Sequence, residues 1–272
     1  SGATAACFPV GVALAATWDV DLIEQVGRAL GDEARSKNAQ VLLGPTMNLH
    51  RHPLGGRNFE CYSEDPYLSG AIACGFIRGV QSRGVAACAK HFVCNDSEFE
   101  RHTISSEVDE RTLRELYLRP FEMSVRDAGV WSVMSAYNRV NGVYASSHEP
   151  LLRGVLKGEW GFDGFVVSDW GAALETEQNA LGGLDLEMPG PPRTRGAALV
   201  TAVRRGVVDE TLIDDSVRRI LRIMARTGRF ESPDPQPEQS LDQPEHRALA
   251  RRAAAAAMVL IRNDGVLPFD PA

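Results

Sequence analysis

The stretch FDGFVVSDWGA, residues 162–172, ends an apolar run on Ser168, Asp169 and Trp170. An Asp at the C-terminal end of a strand can simply cap the helix that follows. Trp170 shifts the reading toward chemistry. An indole covers the apolar C–H face of a sugar while neighbouring acids bind its hydroxyls. A carboxylate so placed can attack an anomeric carbon, since glycosidic bonds are broken by paired acids.

Other residue types gather at comparable places. Lys90 and His91 directly follow the run VAACA and read as two cationic donors suited to sugar hydroxyls or to electrostatic support. Arg57, in GGRNFE, reads either as a salt-bridge partner of Glu60, Glu64 or Asp65 or as a substrate ligand with fixed donor geometry. In VMSAYNRVNG, Met134 reads as core, and Met134 and Tyr137 can both wall a pocket. Cys88 and Cys94 bracket Lys90-His91, but without a C-x-x-C pair they read as packed thiols rather than metal ligands. No metal or cofactor is expected.

These residues need elements to position them. Apolar spacing predicts a helix from Asp19 to Lys37 with Asp19 as N-cap, a strand over Ala39–Leu43, a long loop, and a helix from Pro66 to about Arg83. A strand follows over Gly84–Ala89, then a helix over 110–127 and a strand over Val130–Ser135. HEPLLRGVLKGEW predicts a helix with Pro150 near its start. Then come a strand over Gly164–Ser168, a helix over 171–182, a short strand over Leu184–Glu187, and helices over 195–205 and 209–227. This alternation implies parallel βαβ units. Polar or aromatic loops follow nearly every strand, which favours a TIM-like (β/α)8 barrel with its site at one face. No G-x-G-x-x-G opens a helix, so a dinucleotide fold loses its main support.

At 272 residues the chain suits one such barrel, and an apolar fraction of 44% allows a sizeable core. A net charge of -7 without a basic stripe excludes a nucleic-acid footprint, and no apolar run approaches a membrane span. The N-terminal stretch is apolar but lacks a basic flank, so it is not read as a signal peptide. Five cysteines, an odd count, lean toward a reducing compartment, with the cytoplasm favoured. From about Glu231 the composition turns to Pro, Gln and acid, a connector. A helix running into a strand is expected after it, in HRALARRAAAAAMVLIRNDGVLP. The expected organisation is a barrel over 1–230 and, over 231–272, a linker with the start of a second domain.

Several stretches together resemble glycoside hydrolase family 3: GPTMNLHRHPLGGRNFECYSEDPYLSG, KHFVCNDSEFERHTISSEVDERTLRELYLRPFE, VMSAYNRVNGVYASSHEPLLRGVLKGEWGFDGFVVSDWGA and GGLDLEMPG. They run in order over nearly the whole chain. The resemblance implies a TIM-like barrel in which Asp169 is the catalytic nucleophile of a retaining β-glycosidase. It further implies that Arg57, Lys90, His91, Met134 and Tyr137 bind the terminal sugar and that Trp170 forms the pocket wall. KHF followed by Asn95 and Glu98 is similar to the β-glucosidase-like branch, not to the K-H-F-P-G-H-G of the N-acetylglucosaminidase branch. Xylosidase-like relatives often carry Cys where Trp170 stands, so a terminal β-D-glucosyl residue is expected.

Two family features have no counterpart in this sequence. One is an Asp in a D-G-P segment that would precede FPVGVALAATWD. The other is the general acid/base, carried in that branch by a second, α/β-sandwich domain of which MVLIRNDGVLP resembles only the first strand. The barrel is therefore expected to be incomplete, the chain weakly active or inactive alone, and self-association possible. Alternative readings are a non-catalytic carbohydrate-binding remnant, a β-xylosidase-type specificity, or an unrelated barrel in which Lys90 forms a Schiff base.

Overall fold

The computed structural model describes residues 4–270. In chain order the elements are α1 (Gly11–Ala16), α2 (Val20–Ser36), β1 (Val41–Leu42), α3 (Pro66–Gln81), β2 (Ala86–Phe92), β3 (Ser105–Ser106) and α4 (Glu110–Thr112). A π-helical turn, Leu113–Tyr117, carries α4 toward α5 (Arg119–Arg126). Then follow β4 (Ser132–Ser135), the hairpin of β5 (Arg139–Val140) and β6 (Val143–Tyr144), a π-helical segment over Pro150–Glu159, and β7 (Phe165–Ser168). Helices α6 (Thr176–Gly182), α7 (Ala197–Arg204), α8 (Glu210–Arg226) and α9 (Pro244–Ala256) complete the chain.

Local signals account for the helix starts. The Asp19 carboxylate accepts the Leu22 N–H at 2.9 Å, and Asp65 accepts that of Leu68 at 2.7 Å with Pro66 in the first turn. Helices α2 and α3 pack with their backbones almost touching. A Cβ on Gly79 would lie 2.2 Å from the Glu24 carbonyl oxygen and 2.8 Å from Gly27 Cα, so only glycine fits this crossing.

The main sheet has the order β1-β2-β4-β7, and all its pairs are parallel. Alternation along the strands separates two cores. Ala87, Ala89, Val133 and Val166 face a large cluster with residues of α2, α3 and α5. Ala86, Cys88, Met134, Phe165 and Val167 form a second cluster on the opposite face, joined by Ile220 and Ile223 of α8. The register aligns Lys90 with Met134 and Met134 with Val167, one layer below Asp169. Beyond β7, among the described residues, a single parallel bridge, Val167 to Leu186, continues the sheet. The molecule is thus an α/β domain with the plan of an incomplete TIM-like barrel.

Some expectations need correction. The strand expected over Leu184–Glu187 is reduced to that bridge. Helix α6 begins at Thr176, not 171, because the chain first makes a turn at Gly171 (φ 80°), whose N–H bonds the Met188 carbonyl at 2.9 Å. The N-terminal apolar stretch forms α1, which buries Leu14 and Ala15. Met258–Ile261 makes no strand and stays exposed, with no neighbouring strand among the described residues to pair its backbone. The connector instead returns to the barrel flank, where Gln239 N–H bonds the Ser36 carbonyl (2.8 Å) and His246 of α9 meets Glu33 of α2 (2.8 Å).

Candidate active site

Asp169 continues the line of β7 past its last residue. Its N–H donates to the Ser135 carbonyl at 3.2 Å, extending the ladder to β4. On the other side Ser168 is tied to the 186–188 segment. Its N–H donates to the Leu186 carbonyl (2.9 Å), and its hydroxyl accepts the Met188 N–H (3.0 Å) and donates to the Met188 carbonyl (3.3 Å). Gly164 lets β7 start close to its neighbour, since a Cβ there would fall 2.1 Å from the Trp131 carbonyl oxygen. The serine beside Asp169 is therefore a clamp on the backbone that carries the acid.

The Asp169 side chain is 7% exposed as part of its residue and asymmetric in its contacts. Oδ1 accepts the Trp170 N–H at 2.7 Å. Oδ2 has no hydrogen-bond partner among the described residues, and His91 Nε2 lies 3.4 Å from it without hydrogen-bond alignment. Arg57 Nη1 is 3.2 Å from the same His91 Nε2. Arg57 also bonds Glu60 through Nε and stands 3.9 Å from Glu98. Burial opposes the charge of Arg57, but Glu60, Glu98 and Asp169 outweigh it and hold the guanidinium above its ordinary pKa. Burial likewise opposes the Glu60 charge, yet bonds from Arg57 and from Thr46 Oγ1 (2.9 Å), with Lys90 nearby, keep its carboxyl below the usual range.

His91 is the exception among these charges. It is 2% exposed, and burial first, then Arg57, Lys90 and Arg101, drives its pKa well below the ordinary value. The expectation of two adjacent cations at 90 and 91 is corrected: His91 is neutral, because three positive groups already surround a dry imidazole. Both residues also lie within β2, not after it, at a register shift between Lys90 and Phe92. The Lys90 ammonium has no hydrogen-bond partner among the described residues and remains half-buried at the site.

Tyr137 closes one side. Its hydroxyl donates to the Trp170 carbonyl at 3.0 Å, and its ring lies under Arg101 (4.6 Å) and against His102 (4.4 Å). Burial, then the Asp169 carboxylate, pushes its phenol up to about 12. The Trp170 indole stands 41% exposed at the rim. Met134 is buried in the inner cluster, level with Lys90. The structure thus brings Arg57, His91, Tyr137 and Trp170 around Asp169, with Lys90 beside them and Met134 in the floor below. Three hollows share loops with this site, and none is lined by Asp169. One, about 540 Å3, is lined by Trp18, His52 and Glu64, a second, about 410 Å3, by Arg51, Asp96, Tyr117 and Asn138, and a third, about 220 Å3, by Gly171, Leu174 and Met188. The site is an open rim.

The family model described as the glycosyl hydrolase family 3 N terminal domain matches residues 1–223. The chain belongs to glycosyl hydrolase family 3. Among curated family members, a beta-glucosidase of Rhizobium radiobacter is 58% identical over 98% of this chain, and beta-glucosidase B of Emericella nidulans is 49% identical over 98%. This chain spans only 33% and 32% of their lengths, about a third. Of solved family structures, beta-glucosidase 3B from Thermotoga neapolitana in complex with alpha-D-glucose superposes with a TM-score of 0.92 at 44% identity, over 97% of this chain and 38% of that one. The beta-glucosidase from Kluyveromyces marxianus in complex with glucose gives 0.92 at 42% identity, over 96% and 32%.

Within this family 3 domain, residues that the sequence did not single out also shape the site. Arg101 faces both Tyr137 and Glu98. Asn48 is buried against His91. Both lie inside quoted motif stretches, but nothing local in their spacing distinguishes a contact to His91 or Tyr137 from a surface role. Cys88 and Cys94 are buried free thiols whose pKa values burial pushes up, Cys88 to about 11, as expected of packing residues.

Proposed function

We propose that this chain carries the nucleophile and the sugar-gripping groups of a retaining β-glucosidase acting on terminal non-reducing β-D-glucosyl residues. The observation that carries the reading is the Asp169 carboxylate: one oxygen held by the Trp170 N–H, the other unpartnered and turned toward His91 and Arg57. In the first step Oδ2 bonds to the anomeric carbon as the bond to the leaving oxygen breaks, and that oxygen takes its electron pair and a proton from a general acid. Water then attacks the glycosyl–Asp169 ester, the acid returning as base. Trp170 stacks on the sugar's C–H face, Arg57, Lys90 and His91 meet its hydroxyls, and Met134 and Tyr137 wall the pocket.

The general acid is assigned to a separate domain outside these residues. Glu60 and Glu98, the other carboxylates facing Arg57, are taken up by hydrogen bonds and ion pairs with Arg57, Thr46, Asn95 and Arg101. A barrel domain over 1–230 followed by a connector into that second domain accommodates this division of labour. The beta-glucosidase relatives, about three times longer, support it. Loss of a general acid typically costs about 10²–10⁴-fold, so alkyl glucosides are turned over negligibly by the chain alone. A 2-deoxy-2-fluoro-β-glucoside with a good leaving group needs little acid assistance. It is expected to label Asp169, as read by peptide mass, and Asp169→Asn is expected to abolish the label. An unlabelled wild-type chain that still binds glucose would favour a non-catalytic sugar-binding domain.

A further inference from the structure

Asn48 lies 4% exposed just past the Thr46–Lys90 bridge, and its side-chain amide is spent on one residue. Nδ2 donates to the His91 carbonyl at 2.9 Å, and Oδ1 accepts the His91 backbone N–H at 2.9 Å. The same Oδ1 stands 3.3 Å from His91 Nδ1. A carbonyl only accepts and a backbone N–H only donates, so the amide has one satisfactory orientation. Its oxygen then faces Nδ1, which must carry the ring proton. The far end of the ring agrees. Nε2 lies 3.2 Å from Arg57 Nη1, and a guanidinium only donates, so Nε2 must present its lone pair.

We propose that Asn48 is the positioning residue that locks His91 in its Nδ1–H form and so presents the Nε2 lone pair that holds Arg57 beside Asp169. The consequence for catalysis rests on the reading of Asp169 as nucleophile; the tautomer itself does not. In the opposite tautomer an Nε2–H would face Arg57 Nη1, itself a donor, with Asp169 Oδ2 3.4 Å away and out of hydrogen-bond alignment. It would repel the guanidinium and release Arg57 from its place beside Asp169. With the lone pair outward, Nε2 instead accepts from Arg57 and anchors its fork. The charged groups that face the ring are Arg57, from the same long loop as Asn48, and Lys90, Arg101 and Asp169 from other segments.

The test is a long-range ¹H–¹⁵N spectrum of the full chain with ¹⁵N-labelled histidine, near neutral pH. His91 is expected with a protonated Nδ1 and a bare Nε2; a protonated Nε2 in the wild-type chain overturns the proposal without any variant. In Asn48→Asp the carboxylate draws positive charge onto the ring, so a second proton is expected on Nε2, now directed at Arg57. With Arg57 displaced from the site, labelling by the fluoroglucoside is expected to slow by tenfold or more, toward roughly 10²-fold, as for a misplaced positioning group. A folded Asn48→Asp chain with the wild-type tautomer and labelling rate also overturns it. If wild-type protein is never labelled, the glucosidase reading fails, while the spectrum still decides the role of Asn48.

Discussion

Asp96 offers a sharp test of the loops that frame the site. It follows β2, lines the hollow shared with Arg51, Tyr117 and Asn138, and accepts the Leu49 N–H at 3.2 Å, tying the Arg57 loop to the Glu98 loop. Burial pushes its carboxyl from 3.8 up to about 7, against the opposing pull of the Leu49 N–H and Arg51. The native state therefore keeps this proton up to about pH 7, while the unfolded chain releases it near pH 4. Between those values the native state binds more protons, so stability from this group is greatest in acid and falls as pH rises. At about 1.4 kcal/mol per pH unit the window amounts to roughly 4 kcal/mol, and residual water in the hollow reduces it to roughly 2–4 kcal/mol. Asp96→Asn is isosteric, stays neutral and keeps an oxygen for Leu49. Urea midpoints followed by tryptophan fluorescence from pH 4 to 8 should show the two proteins equal near pH 4 and the variant ahead by roughly 2–4 kcal/mol at pH 8. A constant gap across this range, or wild-type gaining on the variant as pH rises, would mean that Arg51 holds Asp96 as an anion and would refute the reasoning.

Lys157→Met is expected to lower stability by roughly 3–5 kcal/mol in denaturant titration, since it strands the buried Asp185 that Lys157 contacts at 2.8 Å. Asp185 would retain only the Val166 N–H and the Ser216 hydroxyl. Gly79→Ala gains at most about 1 kcal/mol of helix propensity but drives a methyl into the Glu24 carbonyl. A net loss of roughly 1–3 kcal/mol and a lower Tm are expected. An unchanged or raised Tm would show that the α2–α3 crossing can open.

Much of the scaffold was legible because its signals are local. The apolar spacing of 19–37 and the Asp19 cap predict α2 to within a residue at its start. Apolar runs ending in polar loops predict parallel strands, and β2, β4 and β7 lie there. Where a signal was weak the element was lost. Asn141-Gly142 is a hairpin dipeptide, and both residues have positive φ, but the two-residue strands beside it are too short to show a period. Met258–Ile261 has strand-like composition and no partner, and composition alone makes no ladder.

The sequence by itself determined which chemistries were available: a carboxylate beside an indole at a strand end, an arginine in a long loop, a Lys-His pair, a tyrosine. Only the tertiary structure decided their states. The neutrality of His91, the freedom of one Asp169 oxygen and the raised proton affinity of Asp96 depend on burial and on charges from segments far apart in the chain, around Arg57, Lys90, Arg101 and Asp169. Burial and Coulomb interaction act through space, between groups brought together by folding, and residue type or local spacing does not carry them.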